Sequence, residues 1–238
     1  FILPLVYETK PLQILKLKTF DAFVKEQNPS GYFTILNITE EDVQELGGYR
    51  FPRKILGDQA EALMNNGALG VGFVISFIDP DRYGGDELFA GSMNGVPNSV
   101  IATFEYDNQI YPKPTGVVVL GNEAQGIPLK GHIPTIKELE NVQQGMVSAP
   151  LSDDGLVRML PLLFQTPNGW VSSYAVEVLK VLVGADTYII KTNELGIEEI
   201  KVQGLPQTRV DSLGRKWVSW VETSETNLKE LDVKDKFV

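Results

Sequence analysis

Residues 32–93 read YFTILNITEEDVQELGGYRFPRKILGDQAEALMNNGALGVGFVISFIDPDRYGGDELFAGSM, and the parsing of this stretch decides the fold. It opens with an aromatic and β-branched run, Tyr32 to Ile38, which predicts a strand. An acidic helix start follows at Thr39-Glu40-Glu41-Asp42, with Asp42 at the capping-box distance from Thr39. Beyond Gly47-Gly48 and the insert Tyr49-Arg50-Phe51-Pro52-Arg53, the residues Leu56, Ala60, Leu63 and Met64 recur at i, i+4, i+7 and i+8. That spacing lays one apolar stripe on a helix facing a sheet. Gly67 closes the helix, and Ala68 to Ile78 is almost continuously apolar, as in a strand buried on both faces of a parallel sheet. Asp79-Pro80-Asp81 stops it. Two such strands joined by a helix cross over right-handedly. The carboxyl ends of parallel strands are also where an α/β sheet offers a ligand crevice.

Upstream of this unit, Leu12, Leu15, Leu17 and Phe20 to Val24 predict one short strand and one short helix, ending at the turn Asn28-Pro29-Ser30-Gly31. Downstream, the pattern predicts a helix over Asp86 to Asn94 and strands over Ser99 to Tyr106 and Gly116 to Gly121. A glycine- and proline-bearing loop over 122–134 and a short helix from Thr135 to Gln144 come next. Two apolar runs, Gly145 to Leu151 and Leu156 to Phe164, flank Asp153-Asp154-Gly155, a hairpin signal because the turn needs positive φ. Ser172 to Val183 reads as a helix with Ala175, Val178, Leu179 and Leu182 on one side. From Tyr188 to Val221 short strands alternate with turns at Gly196, Gly204 and Gly214, closing with Trp217 and Trp220 on opposite faces. The expected fold class is therefore α/β: a mixed, largely parallel sheet with helices packed on it, plus a hairpin-rich C-terminal part. No repeat or long linker forces a boundary, so residues 1–238 are expected to form a single domain.

Bulk composition narrows the function classes. The chain has 238 residues, 43% of them hydrophobic and 22% charged, which is ordinary core-forming material. A net charge of -10 repels nucleic acid and anionic lipid, so neither is an expected partner. There is no cysteine, hence neither a disulfide nor thiolate chemistry. No apolar run reaches the roughly 18 residues needed to span a bilayer. The chain starts at Phe1 without a signal-peptide pattern and stops at Lys236-Phe237-Val238, so both ends read as cut from a longer protein.

Candidate chemistry is sparse. The one histidine, His132, reads as an exposed loop residue, and no serine sits in a Gly-x-Ser-x-Gly elbow. Zinc or iron sites built on His and Cys are excluded by composition. Asp79, Asp81 and Gly84 match three positions of a calcium loop, but Tyr83 and Ala90 occupy two further ligand positions, so this is not an EF-hand. Asp79, Asp81, Asp86 and Glu87 admit a looser hard-cation site, with a solvated acidic loop as the plainer reading. Gly67, Gly70 and Gly72 precede a strand instead of following one, so they read as packing glycines and not as a dinucleotide fingerprint. Arg53 either clamps an anionic ligand or pairs with the acidic loop, the pairing being favoured, whereas Arg50 reads as exposed. Arg158 either pairs across the hairpin or meets a ligand. The candidate ligand-contacting residues are therefore Arg53, Asp79, Asp81, Asp86 and Arg158. No catalytic residue, metal ligand or cofactor is expected.

The ordered signals along the whole chain resemble the CHASE type-two domain, an extracytoplasmic sensor module of bacterial receptors. They are Leu17-Lys18-Thr19-Phe20-Asp21, Leu46-Gly47, Phe51-Pro52-Arg53, Gly67 to Phe73, Asp79-Pro80-Asp81, Gly145, the Asp-Asp-Gly turn with Arg158, and Pro161-Leu162. The helix from Ser172, Val210 to Gly214 and the closing Val233 to Val238 complete the order. Two departures stand out: Thr39 and Val74 occupy positions where the family usually carries aspartates. The resemblance implies a non-catalytic receptor input domain with transmembrane helices flanking it, Phe1 and Val238 near one end, and a cyclase, histidine kinase or Ser/Thr kinase output. It also implies an unidentified small-molecule or protein signal, and it admits a homodimer. The competing expectation is a carboxylate-dependent hydrolase or carbohydrate-active enzyme, whose mark would be two carboxylates facing each other in a deep cleft.

Overall fold

A computed structural model of the chain describes residues 9–25, 27, 30–48, 52–96 and 98–220. Phe1, Asn28, Pro29, Tyr49, Arg50, Phe51 and the closing Val233 to Val238 lie outside the described residues. The chain divides into two compact units, each assembled from separated segments: residues 1–38, 149–160 and 217–238 make the first, and 39–148 with 161–216 the second.

The described part of the first unit contains one helix, α1 (Lys10–Asp21), started by a proline in its first turn. It takes up Leu12, Leu15 and Leu17, so a single helix stands where a strand and a helix were expected. Tyr32 to Ile38 forms no strand, and Tyr32, Phe33 and Ile35 are exposed. β-propensity expresses fit to a half-buried pleated surface, and among the described residues no neighbouring strand supplies one to this run. The ring of Phe20 packs on Trp217, with centroids 4.4 Å apart.

The second unit begins with the anticipated capping box. The Thr39 hydroxyl accepts from the Asp42 N–H, and the Asp42 carboxylate accepts from the Thr39 N–H at 2.7 Å, starting α2 (Glu40–Glu45). Next come α3 (Arg53–Asn65), β1 (Val71–Phe73), α4 (Asp86–Gly95), β2 (Ser99–Phe104), β3 (Gly116–Leu120) and β4 (Ile127–Pro128). The helix expected over 135–144 is only a 3-10 turn, Lys137–Leu139, because Gln143 already enters β5 (Gln143–Val147). Along the chain then come β6 (Met159–Pro161), mostly in the first unit, β7 (Leu163–Thr166), β8 (Gly169–Ser172), α5 (Tyr174–Leu182), β9 (Thr187–Asn193), β10 (Gly196–Val202), β11 (Thr208–Arg209) and β12 (Arg215–Trp217), whose last residue is again in the first unit.

The fold class is mixed α/β, as expected. One sheet has the order β1-β2-β5, parallel throughout, with Phe73 opposite Ile101 and Ala102 opposite Gly145. A second sheet has the order β11-β10-β9-β3, in which the β9–β10 hairpin is antiparallel and β3 joins parallel to β9. β4, β7 and β8 form a third sheet, and β6 pairs with β12. The turn at Asp153-Asp154-Gly155 closes as expected, with Gly155 at φ 80°, but its flanking runs do not pair with each other. β5 belongs beside β2 and β6 beside β12, so long-range pairing overrides the local hairpin signal.

The run from Ala68 to Ile78 is also shorter as a strand than expected. Val74 and Ile78 are exposed, and only Phe73 and Phe77 turn inward. Their rings meet Phe89 of α4 at centroid distances of 5.5 and 5.0 Å, which fastens α4 to the β1 side of the sheet. Phe77 and Phe89 are almost fully buried, each worth roughly 1.5–3 kcal/mol of transfer free energy. A second core gathers Leu163, Val176, Tyr188, Ile190, Ile197 and Ile200 under the β9–β10 hairpin.

Candidate functional site

The sequence directs attention first to Arg53 and the acidic loop, and the structure does bring these residues together. The Arg53 guanidinium donates to the Asp86 carboxylate and to the Asp79 main-chain carbonyl, and lies 5.3 Å from the centre of the Phe77 ring. Asp81 works through the backbone. Its carboxylate accepts from the N–H groups of Arg53 at 3.0 Å, Tyr83 at 3.1 Å and Gly85 at 3.1 Å. The Asp86 carboxylate in turn accepts from the Asp81 N–H at 2.8 Å. One carboxylate thus satisfies the open N-terminal amide of α3, and another holds the loop to the arginine. Burial alone raises the Asp81 pKa, yet these three N–H donors and the Arg53 charge outweigh it and leave it below the usual carboxylate range.

Every contact named in this cluster is internal to it. The carboxylate oxygens of Asp81 and Asp86 face amides and a guanidinium, which is the geometry of a lock between helix start and strand end. Among the described residues no group of three or more metal-ligating side chains gathers. Of the two positions that the sequence reading set apart as departures from the family pattern, Thr39 caps α2 and Val74 is exposed beyond β1.

Arg158 belongs to the first unit and has partners of its own. It is 5% exposed and forks onto two carboxylates at once, Asp21 at 2.8 and 2.7 Å and Asp154 at 2.7 Å to each oxygen. Pairing with Asp154 is the cross-turn contact that the sequence suggested; the reach to Asp21 was not foreseen. The Arg158 hydrogen bonds hold Asp154 down at about 2 and lower Asp21 as well, while the same bonds raise Arg158 further.

His132 is not the exposed loop residue that its Lys-Gly-His-Ile-Pro context suggested. It is buried, pairs as a bridge with Glu105, and donates from Nδ1 to the Ile110 carbonyl at 2.9 Å. The carbonyl can only accept, so the proton sits on Nδ1. Its role is to close the loop over 105–133.

A cleft of about 180 Å³ in the second unit went unnoticed by sequence reasoning. It opens between the extended Pro112–Thr115 segment and the start of β5, where β5 forms the edge of its sheet, and α5 reaches it with Glu177 and Lys180. Gly145 lets α5 lie this close, because a Cβ there would collide with the Tyr174 backbone. The expected apolar side of α5 is the wrong one: Ala175 and Leu179 are exposed, whereas Val176, Glu177 and Lys180 are buried. Glu177 is 2% exposed. One carboxylate oxygen receives the Lys180 ammonium at 2.8 Å, and the other accepts from the hydroxyls of Ser172 and Tyr188. Lys180 also donates to Thr115 at 3.2 Å. Burial, then the Glu177 charge, pushes the Tyr188 phenol upward, keeping it a neutral donor. On the rim, Lys113 donates to Asn141 at 3.0 Å. The one available signal was Glu177 and Lys180 at i, i+3 in an otherwise apolar helix, a spacing that surface pairs share.

A sequence model of the CHASE2 domain matches residues 1–237, and the chain belongs to the CHASE2 domain family. CHASE2 domains are extracytoplasmic, non-catalytic sensor domains of signalling receptors. No curated protein and no solved structure matches the chain. No helix among the described residues is long and apolar enough to cross a membrane.

Proposed function

We propose that this chain acts as one sensor domain on the outer face of the plasma membrane, within a transmembrane receptor whose cyclase, histidine kinase or Ser/Thr kinase output it controls. Its partners in this reading are a small-molecule signal, the receptor's flanking transmembrane helices and a second copy of the domain. A ligand acts by favouring one of two arrangements of the domain or dimer, since only differential affinity can shift such an equilibrium. The Arg53, Asp79, Asp81 and Asp86 cluster and the Arg158 clamp serve this function structurally, as locks that keep each unit rigid.

The observation that supports binding over hydrolysis is the state of Glu177. A general acid needs a proton to give and a nucleophile needs a free lone pair. Glu177 is engaged within the fold on both oxygens, with the Lys180 ammonium on one and two hydroxyls on the other, so neither oxygen is turned out towards a substrate as the acid or nucleophile of a cleft. The test is protease digestion of spheroplasts that express the full-length receptor. Cleavage within this domain while the output domain stays protected is the expected result. Protection of both together would overturn the assignment.

A further inference from the structure

The polar groups lining the cleft are not all used within the fold. An ammonium has three N–H donors. Lys180 uses two, on Glu177 and Thr115, and Lys113 uses one, on Asn141. Glu140, also on the lining and next in sequence to the Asn141 that Lys113 holds, is exposed and makes no ion pair or side-chain hydrogen bond among the described residues. The Gln143 side chain at the start of β5 is likewise unengaged. With Glu177 neutralised by Lys180, the remaining capacity is an N–H on the floor and one cation and one anion, Lys113 and Glu140, on the exposed lining.

Size and charge then restrict the occupant. A cleft of about 180 Å³ holds the volume of about six waters. It is smaller than the roughly 300–1,000 Å³ sites that take drug-sized ligands. A multivalent anion would have to approach a protein of net charge -10 and sit beside Glu140. A simple cation would face Lys113 and Lys180. A molecule carrying one charge of each sign meets neither penalty.

We propose that the cleft binds a small zwitterion of amino-acid size, its carboxylate received by Lys180 and Lys113 and its cationic nitrogen by Glu140. This names the ligand class for the sensor reading above and rests on it. Pro112 and Pro114 stiffen the Lys113 wall, so the site is largely pre-formed.

The experiment is a thermal-shift and calorimetric titration of the 238-residue chain with the twenty proteinogenic amino acids. Acetate, inorganic phosphate and ethylamine, at matched ionic strength, serve as single-sign probes. At least one amino acid is expected to raise the melting temperature saturably while none of the single-sign probes does. Lys113→Gln and Glu140→Gln, both at exposed positions, should keep the fold and each weaken that binding roughly tenfold or more. Binding by no amino acid overturns the proposal. So does an equal saturable shift with acetate or phosphate, which would make this a plain anion site, and so does undiminished affinity in both rim variants. The protease experiment separates the two readings. Amino-acid binding in a domain that proves cytoplasmic leaves the site standing and removes the sensor assignment, and an external domain without such binding does the reverse.

Discussion

Lys180→Met should cost this protein a large share of its stability, although it removes only a charge at nearly constant volume. The methionine keeps the apolar stem that packs along α5, so the effect isolates the ammonium. What remains is Glu177, 2% exposed, with no counter-charge. Removing one partner of a buried ion pair costs about 3–5 kcal/mol, because the other is left desolvated. Here the hydroxyls of Ser172 and Tyr188 still donate to Glu177, which places the cost near the lower end, about 3 kcal/mol. For a chain of this length that corresponds to a drop in Tm of about 6–12 °C. Urea denaturation read by far-ultraviolet circular dichroism gives the number, and emission from Trp170, which packs against the core around Tyr188, assigns the loss to the second unit. The double variant Glu177→Gln, Lys180→Met removes the stranded charge and should recover more than half of the loss. The reasoning is refuted if Lys180→Met lies within about 0.5 kcal/mol of wild type, or if the double variant is no more stable than the single one.

Three further outcomes follow from the geometry. Arg53→Ala should destabilise the second unit by about 2–3 kcal/mol, at or just below the range for a fully buried pair because both side chains keep some exposure, with Arg53→Lys intermediate because an ammonium lacks the planar fork that reaches Asp86 and the Asp79 carbonyl together. Ligand binding that survives this loss would support the lock; a stability unchanged by Arg53→Ala would remove it. The clamp of Arg158 makes the first unit acid-labile. Asp154 is depressed to about 2 in the folded chain, and Asp21 is also lowered. Unfolded aspartate titrates near roughly 3.9, so this stabilisation is fully present above about pH 4 and is lost as pH falls towards 2. Emission from Trp217 and Trp220 should report a transition in that window, and Arg158→Met should flatten the pH dependence there. Finally, Gly145→Ala puts a methyl group into the Tyr174 backbone and should force α5 off β5. We expect a fall in Tm of several degrees and reduced amide protection along β5; normal protection with unchanged Tm would count against this packing.

How much was legible in the sequence depended on the range of the interactions. The Thr39–Asp42 box was readable because its two partners are three residues apart and its geometry is fixed by the helix start. Arg53 and its acidic partners were readable because opposite charges stood at a helix start and at the end of the apolar run that follows that helix. The β9–β10 hairpin carried its own turn chemistry at Gly196. The Tyr32–Ile38 run misled because its composition is that of a strand, and whether a strand forms is decided by a neighbour that the local sequence does not contain. α5 misled for a related reason. The four apolar residues on one side said nothing of the Glu–Lys pair that the helix buries and that Ser172 and Tyr188 complete from other elements. The cleft was invisible because its walls come from residues 112–115, 140–144 and 171–180, which only the fold assembles. His132 shows the same limit: a polar loop sequence can still be covered when its imidazole has a carbonyl to meet.

The discontinuous build of the first unit also sets an order on biogenesis. Asp21 meets Arg158 across a separation of 137 residues, and Phe20 meets Trp217 close to the end of the described chain. Neither contact exists while the nascent chain is still short, and closing so long a loop carries an entropic cost that nearby contacts do not. The sheet of β1, β2 and β5 can assemble once synthesis has passed Val147, well before Trp217 emerges. Until then Phe20 of α1 lacks the ring that packs on it in the folded chain. A chaperone or the translocation machinery would therefore encounter α1 as a late part to settle, and a truncation that removes Trp217 would uncover Phe20, nearly two hundred positions upstream.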